Sequence, residues 1–160
     1  MDPSRRPKAL AQMLKEIDEV PYPITGRATD YPANWHIEPH AHTKHQLIYA
    51  VRGVMVVQAE AGRWVVPPTR AIWMVAGMPH EIRCIGEVHM RSLLVASDAA
   101  PNLLGETQAV SISPLLRELI VHIRQHSVVD LEYQAGAGDF EILLPERVGD
   151  REHVLMLMLV

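Results

Sequence analysis

Residues 39–57 read PHAHTKHQLIYAVRGVMVV, and this stretch decides the fold class. A polar segment rich in histidine passes directly into a run of leucine, isoleucine, tyrosine and valine, which are residue types that favour β-strands. Similar short runs continue to about residue 96, and glycine or proline interrupts them at regular intervals. The pattern is typical of an antiparallel β-barrel or sandwich.

The turn residues set the expected strand boundaries. Pairs such as Arg52-Gly53 and Gly86-Glu87 separate the apolar runs, and glycine is a residue that tight turns often require. The predicted strands are residues 45–52, 54–59, 63–66, 70–75, 80–85 and 88–96.

Apolar residues at helical spacing flank the strand region on both sides. A helix is predicted over residues 7–19 and is ended by Pro21 and Pro23. A second helix is predicted to begin after Ser113, which is a good N-cap residue. Its apolar stripe would consist of Leu115, Leu116, Leu119, Ile120 and Ile123.

The chain therefore divides into three predicted regions. Residues 1–27 form an N-terminal helix and arm, residues 28–98 form the barrel core, and residues 99–160 form a helical C-terminal part. Within the last region, residues 128–146 fit either a short helix or a loop, and Asp150 is a candidate cap for a final apolar helix.

The overall composition excludes several classes of protein. A chain of 160 residues can bury one sizeable core without a disulfide, and it contains a single cysteine. The formal net charge of −4 argues against sequence-independent binding to nucleic acid, which depends on clustered lysine and arginine. No apolar run is long enough to cross a bilayer, and the charged N-terminus does not resemble a signal peptide. A cytoplasmic location is expected.

Four polar side chains have the spacing of a metal site. His40, His42 and Gln46 would point to one face of a regular strand, whereas His45 would point to the other face. His80 begins a later predicted strand and can approach the first three across a closed barrel. Three imidazoles and an amide oxygen can bind one divalent transition metal such as Zn, Ni, Fe or Mn. The alternative is a metal-free pocket in which these side chains line a small-molecule site or bond to one another.

Large aromatic side chains are further candidates for a ligand pocket, because such pockets are often lined by aromatic faces. The candidates are Trp35, Tyr49, Trp64 and Trp73. The alternative is that these residues form the core of the barrel.

The histidine-containing segments resemble the motifs of the cupin superfamily. The first motif of that superfamily contains His-x-His, a glutamate and a glycine, and His40, His42, Gln46 and Gly53 fit its spacing. Gln46 replaces the glutamate, and an amide is a poorer ligand because it carries no charge. The resemblance implies a cupin barrel of the double-stranded β-helix or jelly-roll type with flanking α-helices.

The second cupin motif is matched in part. Gly77 and His80 fit it, whereas Val75 stands in place of a proline and Cys84 in place of an asparagine. The resemblance thus retains all three histidines of the metal site and changes its carboxylate.

A longer stretch is similar to a narrower family, the N-terminal cupin domain of AraC-type bacterial transcriptional regulators. The motifs that carry this resemblance are HQLIYAVRGVMVV, GRWVVPPTRAIWMVAGMPHEIR, HMRSLLV and VSISPLLRELI, and together they cover roughly residues 28–127. In that family a glutamine at the position of Gln46 is usual.

This resemblance implies a sensor rather than an enzyme. The expected function is effector sensing and dimerisation within a transcription regulator, with a small molecule and one divalent metal, or no metal, in the barrel. A homodimer could use the stripe of Leu115, Leu119 and Ile123, unless that stripe packs on its own barrel. DNA would be bound only through a C-terminal helix-turn-helix domain that is not present in these 160 residues. The alternative function is a metal-dependent cupin enzyme of the dioxygenase or isomerase type.

Overall fold

A computed structural model of the chain describes residues 3–99 and 104–125. Eight strands form its body, with one helix before them and one after. The helices are α1 (Leu10–Glu19) and α2 (Pro114–Gln125). The strands are β1 (Ile24–Tyr31), β2 (His36–His40), β3 (His45–Ile48), β4 (Ala50–Ala59), β5 (Gly62–Val66), β6 (Arg70–Met74), β7 (His80–Val95) and β8 (Gln108–Ser111).

The long strand β7 organises the sheet because it pairs with four other strands. Its first half lies between β2 and β4, and its second half lies between β1 and β3, with antiparallel pairing throughout. From there the sheet continues through β5 on one side and through β6 and β8 on the other. The strands curl into a nearly closed barrel, and the prediction of a mostly β barrel with flanking helices is confirmed.

Two glycines allow β4 and β7 to bend together at the middle of the barrel. Gly53 (φ 87°) lies at an irregularity between Arg52 and Val54, and Gly86 (φ 70°) lies nearby on β7. Both are in the left-handed region of backbone conformation, which glycine adopts without steric cost. Gly86 lies between the part of β7 that pairs with β2 and the part that pairs with β1.

The apolar side chains form two clusters on opposite faces of the sheet. The interior cluster fills the barrel and includes Met55, Val57, Ile82 and Met90. The outer cluster, which includes Leu47, Tyr49, Trp73 and Leu93, lies on the other face of the strands. Helix α2 contributes Leu116 and Ile120 to this outer cluster, each only 1% exposed.

The predicted stripe of α2 therefore divides between two faces. Leu116 and Ile120 pack on the barrel, whereas Leu115 is 68% exposed. Ser113 caps the helix as predicted, since its Oγ accepts a hydrogen bond from the backbone N–H of Leu116 at 3.1 Å. Residues 126–160, including the ambiguous segment and the predicted final helix, lie outside the described residues.

Several strand predictions differ from the structure. β1 and β2 were not predicted, and β7 is one strand rather than the two expected over residues 80–85 and 88–96. β1 begins at Ile24, before the predicted start of the barrel region at residue 28, and β8 lies after its predicted end at residue 98. Within the described part of the chain, no helix is long and apolar enough to cross a membrane.

Candidate metal and ligand site

Three histidines meet inside the barrel at the ends of two neighbouring strands. His40 ends β2 and lies directly opposite His80, the first residue of β7. His42 lies in the connection between β2 and β3, which is not a strand. The expectation of one regular strand through His40, His42 and Gln46 was therefore wrong. The histidines converge because this connection turns and because β2 pairs with β7.

Contacts with two other segments hold the turn in place. The carbonyl oxygen of His42 accepts a hydrogen bond from the backbone N–H of Gly77 at 2.8 Å. Asp18 of α1 accepts hydrogen bonds from the backbone N–H and the hydroxyl of Thr43 at 3.0 and 2.8 Å. The ammonium group of Lys44 donates to the carbonyl oxygen of Val20. The turn is thus joined to the end of α1 as well as to the loop before β7.

The three imidazole rings are close together and buried. The ring centres of His40 and His80 are 4.3 Å apart, those of His42 and His80 are 5.2 Å apart, and those of His40 and His42 are 6.0 Å apart. One nitrogen of each ring lies within 4.8 Å of the corresponding nitrogens of the other two. This spacing suits three ligands of a single metal ion.

The backbone sets which nitrogen of each ring carries the proton. Nδ1 of His40, His42 and His80 lies 2.7, 2.7 and 2.9 Å from the carbonyl oxygens of Glu38, Lys44 and Met78 respectively. A carbonyl oxygen only accepts hydrogen bonds, so each Nδ1 is the donor. In the neutral ring, Nε2 then keeps a lone pair for another partner. Such orientation through the second nitrogen is usual for histidines that bind metals.

One of these lone pairs has no partner. Nε2 of His80 is buried and makes no hydrogen bond within the described residues. A buried polar atom without a partner is costly and is uncommon in proteins. A metal ion held by the three histidines would satisfy it.

Gln46 lies next to the three histidines and contacts His42. Its Oε1 lies 2.9 Å from Nε2 of His42, and its Nε2 donates to Oγ of Ser92 at 3.1 Å. Because Nδ1 of His42 carries the proton of the neutral ring, its Nε2 and the amide oxygen are both acceptors. A cation bound to both atoms resolves this contact, as does a half-turn of the amide group.

Burial lowers the pKa of two of the three histidines, His40 and His80, and so favours the neutral form that binds metals. Removal from water lowers the pKa of His80 to about 4, and the neighbouring His40 and His42 lower it further against the effect of its hydrogen bond to Met78. Burial likewise lowers the pKa of His40. The donor set of three imidazoles with an adjacent amide fits a divalent first-row transition metal.

The depressed pKa of His80 predicts that the metal-free domain loses stability in mild acid. Between pH 6.5 and pH 4, His80 binds a proton in the unfolded chain but stays neutral in the folded protein. Its contribution to the free energy of unfolding is therefore complete above pH 6.5 and decreases as the pH falls toward 4. For this shift we expect a loss of about 2 kcal/mol in unfolding free energy between about pH 7.5 and pH 5. Urea unfolding in the presence of a chelator measures this loss. The variant His80→Asn should show a shallower dependence, and an equally steep one would contradict the assignment.

The space beside the histidines is small and is covered by α1. Met13 and Ile17 of this helix, His40 and Gln46 are among the side chains around a cavity of about 10 Å³. Met13 and Ile17 are 8% and 2% exposed, so α1 forms a lid of apolar side chains over the interior. A cavity of this volume holds about one water molecule.

Strand β1 supplies a polar stripe to the same interior. In the strand register Thr25 lies opposite Leu94 and Arg27 lies opposite Ser92, so both face inward with Tyr31. Arg27 and Tyr31 line the cavity. Oγ1 of Thr25 and Nε of Arg27 are buried and lack hydrogen-bond partners within the described residues. The interior thus presents polar atoms from both β1 and the histidine group.

These β1 residues were not predicted from the sequence. The one available signal was the alternation of Thr25, Arg27, Thr29 and Tyr31 in the segment ITGRATDY, because alternate residues of a strand share a face. Their polar character hid the strand, since inward-facing strand positions are usually apolar.

The four aromatic candidates lie in different places. Tyr49 and Trp73 are buried in the outer cluster, where their polar atoms donate to the carbonyl oxygens of Pro68 and Leu104 respectively. Trp64 packs against the interior cluster. Trp35 is 38% exposed and lines a surface groove of about 220 Å³ beside α1. The structure therefore does not bring the four together around one pocket.

His45 points away from the histidine group, as predicted. Its ring stacks on Trp73 at 5.3 Å, and its Nδ1 accepts a hydrogen bond from the backbone N–H of Ala76 at 2.9 Å. Its role is thus to pack between β3 and β6.

Comparison with known proteins shows the family of this chain. The family of AraC-like ligand-binding domains matches residues 22–140, which is more than half of the chain. The chain belongs to this family. Assignment as an AraC-like ligand-binding domain supports a binding module over the alternative of a cupin enzyme.

A curated relative of this AraC-like domain is a transcription regulator. The HTH-type transcriptional regulator NimR of Escherichia coli (strain K12) is 33% identical over 82 residues. The match covers 51% of this chain and 30% of the length of that regulator.

Solved structures similar to the AraC-like domain include cupins. An RmlC-like cupin from Shewanella frigidimarina is 15% identical, with 45% of this chain and 65% of that chain covered and a TM-score of 0.43. A variant of oxalate decarboxylase from Bacillus subtilis is 16% identical, with 49% of this chain and 22% of that chain covered and a TM-score of 0.42. Similarity at this level says nothing about substrate or reaction.

Proposed function

We propose that this domain senses a small-molecule effector inside its barrel, as part of an AraC-type transcription regulator in the bacterial cytoplasm. The carrying observation is a barrel interior that keeps buried polar atoms without partners, on Thr25, Arg27 and His80. Native proteins satisfy nearly all such atoms, so three of them in one barrel interior favour a ligand that binds there. DNA would be contacted through a separate helix-turn-helix domain.

The proposal includes one divalent transition metal at His40, His42 and His80, with Gln46 as a fourth ligand. The three neutral imidazoles supply most of the affinity, and Zn, Ni, Fe and Mn all suit such a donor set. When bound, the metal would supply a positive charge at the deep end of the cavity. The backbone carbonyls that receive the Nδ1 protons would hold the three rings in orientation.

Helix α1 is the element that would report the effector. A molecule larger than water does not fit beneath Met13 and Ile17, because the cavity measures only about 10 Å³. An effector therefore stabilises an arrangement in which these side chains have withdrawn, and this differential affinity shifts the position of α1. The polar contacts of Asp18 with Thr43 lie near the surface, where they cost little to exchange for water.

A homodimer is also proposed, through the exposed face of α2. Leu115 is 68% exposed, and Leu119, one turn later on the same face, is partly exposed. Leu116 and Ile120 pack against the barrel, so they would not contribute to the dimer interface. A second copy of the helix would cover Leu115 and Leu119.

A spin label on α1 tests the sensing proposal. Ala11 is exposed on α1, and the single native cysteine, Cys84, is buried with a pKa raised by burial to about 11. Ala11→Cys can therefore be labelled selectively. Compounds from a small-molecule library that raise the melting temperature should increase the mobility of the label, as measured by electron paramagnetic resonance.

The controls separate a sensor from an enzyme. A bound compound should be recovered unchanged by mass spectrometry, and the double variant His40→Ala/His80→Ala should fold but lose the response. Conversion of the compound would favour the enzyme alternative. A label that stays immobile while compounds bind would exclude α1 as the responding element.

A further inference from the structure

Arg27 places a positive charge in the wall of the cavity. Its side chain is 18% exposed and lines the space that contains His40 and Gln46. A guanidinium group is always charged and presents several N–H donors that suit a carboxylate. Nε of Arg27 is buried without a partner among the described residues, so part of this donor set is unused.

The partner of Arg27 comes from the lid. Glu16 of α1 accepts a hydrogen bond from Nη1 of Arg27 at 3.3 Å through Oε2, while its Oε1 accepts one from Lys8 at 2.6 Å. Burial raises the pKa of Glu16, but the hydrogen bonds and charges of Lys8 and Arg27 outweigh it and lower the pKa. Glu16 is therefore a carboxylate, and the helix itself supplies an anion to Arg27.

The charged group in the described lining of the cavity is positive. Its described lining contains the guanidinium of Arg27 and no carboxylate. A metal ion at the histidines would add more positive charge on the far side. Tyr31 also lines the space, and burial raises the pKa of its hydroxyl, so it remains a neutral hydrogen-bonding group. An anion would complement this lining, because a carboxylate can accept charge-assisted hydrogen bonds from the guanidinium of Arg27.

We infer that the effector is a small organic carboxylate that takes the place of Glu16 on Arg27. The inference rests on the proposed sensing function. The carboxylate of the effector would engage the unused Nε of Arg27, and a fork of two hydrogen bonds is stronger than the single long contact that Glu16 makes. When α1 withdraws and the effector replaces Glu16 on Arg27, Glu16 keeps its hydrogen bond to Lys8. The carboxylate of Glu16 is therefore not left without a partner.

Acids and their amides of matched shape test the inference. Acetate, hexanoate and phenylacetate are titrated into the chelator-treated chain by calorimetry, each beside its amide, so that charge is the main difference and no metal contributes. We expect at least one acid to bind about tenfold or more tightly than its amide, as a charge-assisted bidentate contact allows. Arg27→Gln should abolish that preference. Glu16→Gln should strengthen binding of the acid several-fold, because the competing carboxylate is gone.

Arg83→Gln is the matched control, because Arg83 is an exposed arginine whose side chain is 60% accessible. It should leave the preference unchanged. If no acid exceeds its amide, in either the wild-type chain or Glu16→Gln, the inference is overturned. If an amide binds as tightly as its acid and mobilises the label on α1, the carboxylate is wrong but the sensing function stands. Compounds that bind without moving the label contradict the sensing function instead.

Discussion

Removal of one imidazole, by His80→Ala, is expected to lower the affinity of the domain for Zn²⁺ at least about 100-fold, because only three nitrogen donors are available. His40, His42 and His80 lie within ligand distance of one another, and Nε2 of His80 has no other partner in the described chain. Competition with a colorimetric chelator measures the affinity. Elemental analysis of untagged protein should give about one equivalent of a transition metal for the wild type and little for His80→Ala.

A surface histidine serves as the control for the metal prediction. His36 bonds to Glu81 at 2.6 Å outside the group, so His36→Ala should keep the wild-type affinity. Gln46→Glu should tighten binding, since a carboxylate offsets the charge of the ion as the amide does not. Full retention of metal by both His40→Ala and His80→Ala, with folding verified by circular dichroism, would remove the metal from the proposal.

Replacement of Gly53 by alanine is expected to be the most destabilising single change considered. A Cβ atom at this position would lie 2.2 Å from the carbonyl oxygen of Glu87 and 2.9 Å from Cα of Val88. Both are backbone atoms, so β4 and β7 would have to separate where they bend. We expect a loss of about 3 kcal/mol or more in the free energy of unfolding, which is large for a single substitution.

Gly86→Ala is the control for Gly53→Ala. It distinguishes the energetic cost of a positive φ from the cost of the steric clash between Cβ and the backbone of β7. Gly86 also has a positive φ of 70°, but a Cβ there would meet nothing within 4 Å. Its replacement should cost only about 1 kcal/mol. Urea denaturation of both variants gives the comparison. Equal losses would show that close approach of the two strands does not matter at Gly53.

Strands with apolar inward-facing side chains could be predicted from the sequence, whereas β1, whose inward-facing side chains are partly polar, could not. β3 to β6 and the residues of β7 were recognisable, because alternating apolar side chains reach a core on at least one face. β1 was missed because inward positions such as Thr25 and Arg27 are polar, and Arg27 lines the cavity. A strand whose inward side chains are polar departs from the hydrophobic pattern by which strands are recognised.

The positions of the four aromatic candidates could not be predicted from the sequence. Their chemistry fits both a ligand pocket and a core, and sequence spacing does not reveal on which face of a closed sheet a side chain lies. Tyr49 and Trp73 lie on the outer face, beneath α2, because α2 packs there through Leu116 and Ile120. That choice depends on where a helix more than forty residues away in sequence docks.

The mostly β class, a first helix, expected over residues 7–19 and found over 10–19, and the histidines of the candidate site could all be predicted from the sequence, because periodicity and spacing are local properties of the chain. Only the tertiary structure decided that β2 and β7 bring His40 and His80 together, that α1 closes the cavity, and that Glu16 meets Arg27. These contacts join residues that are distant along the chain. They follow from the way in which the sheet closes and the helix docks, which no local pattern specifies.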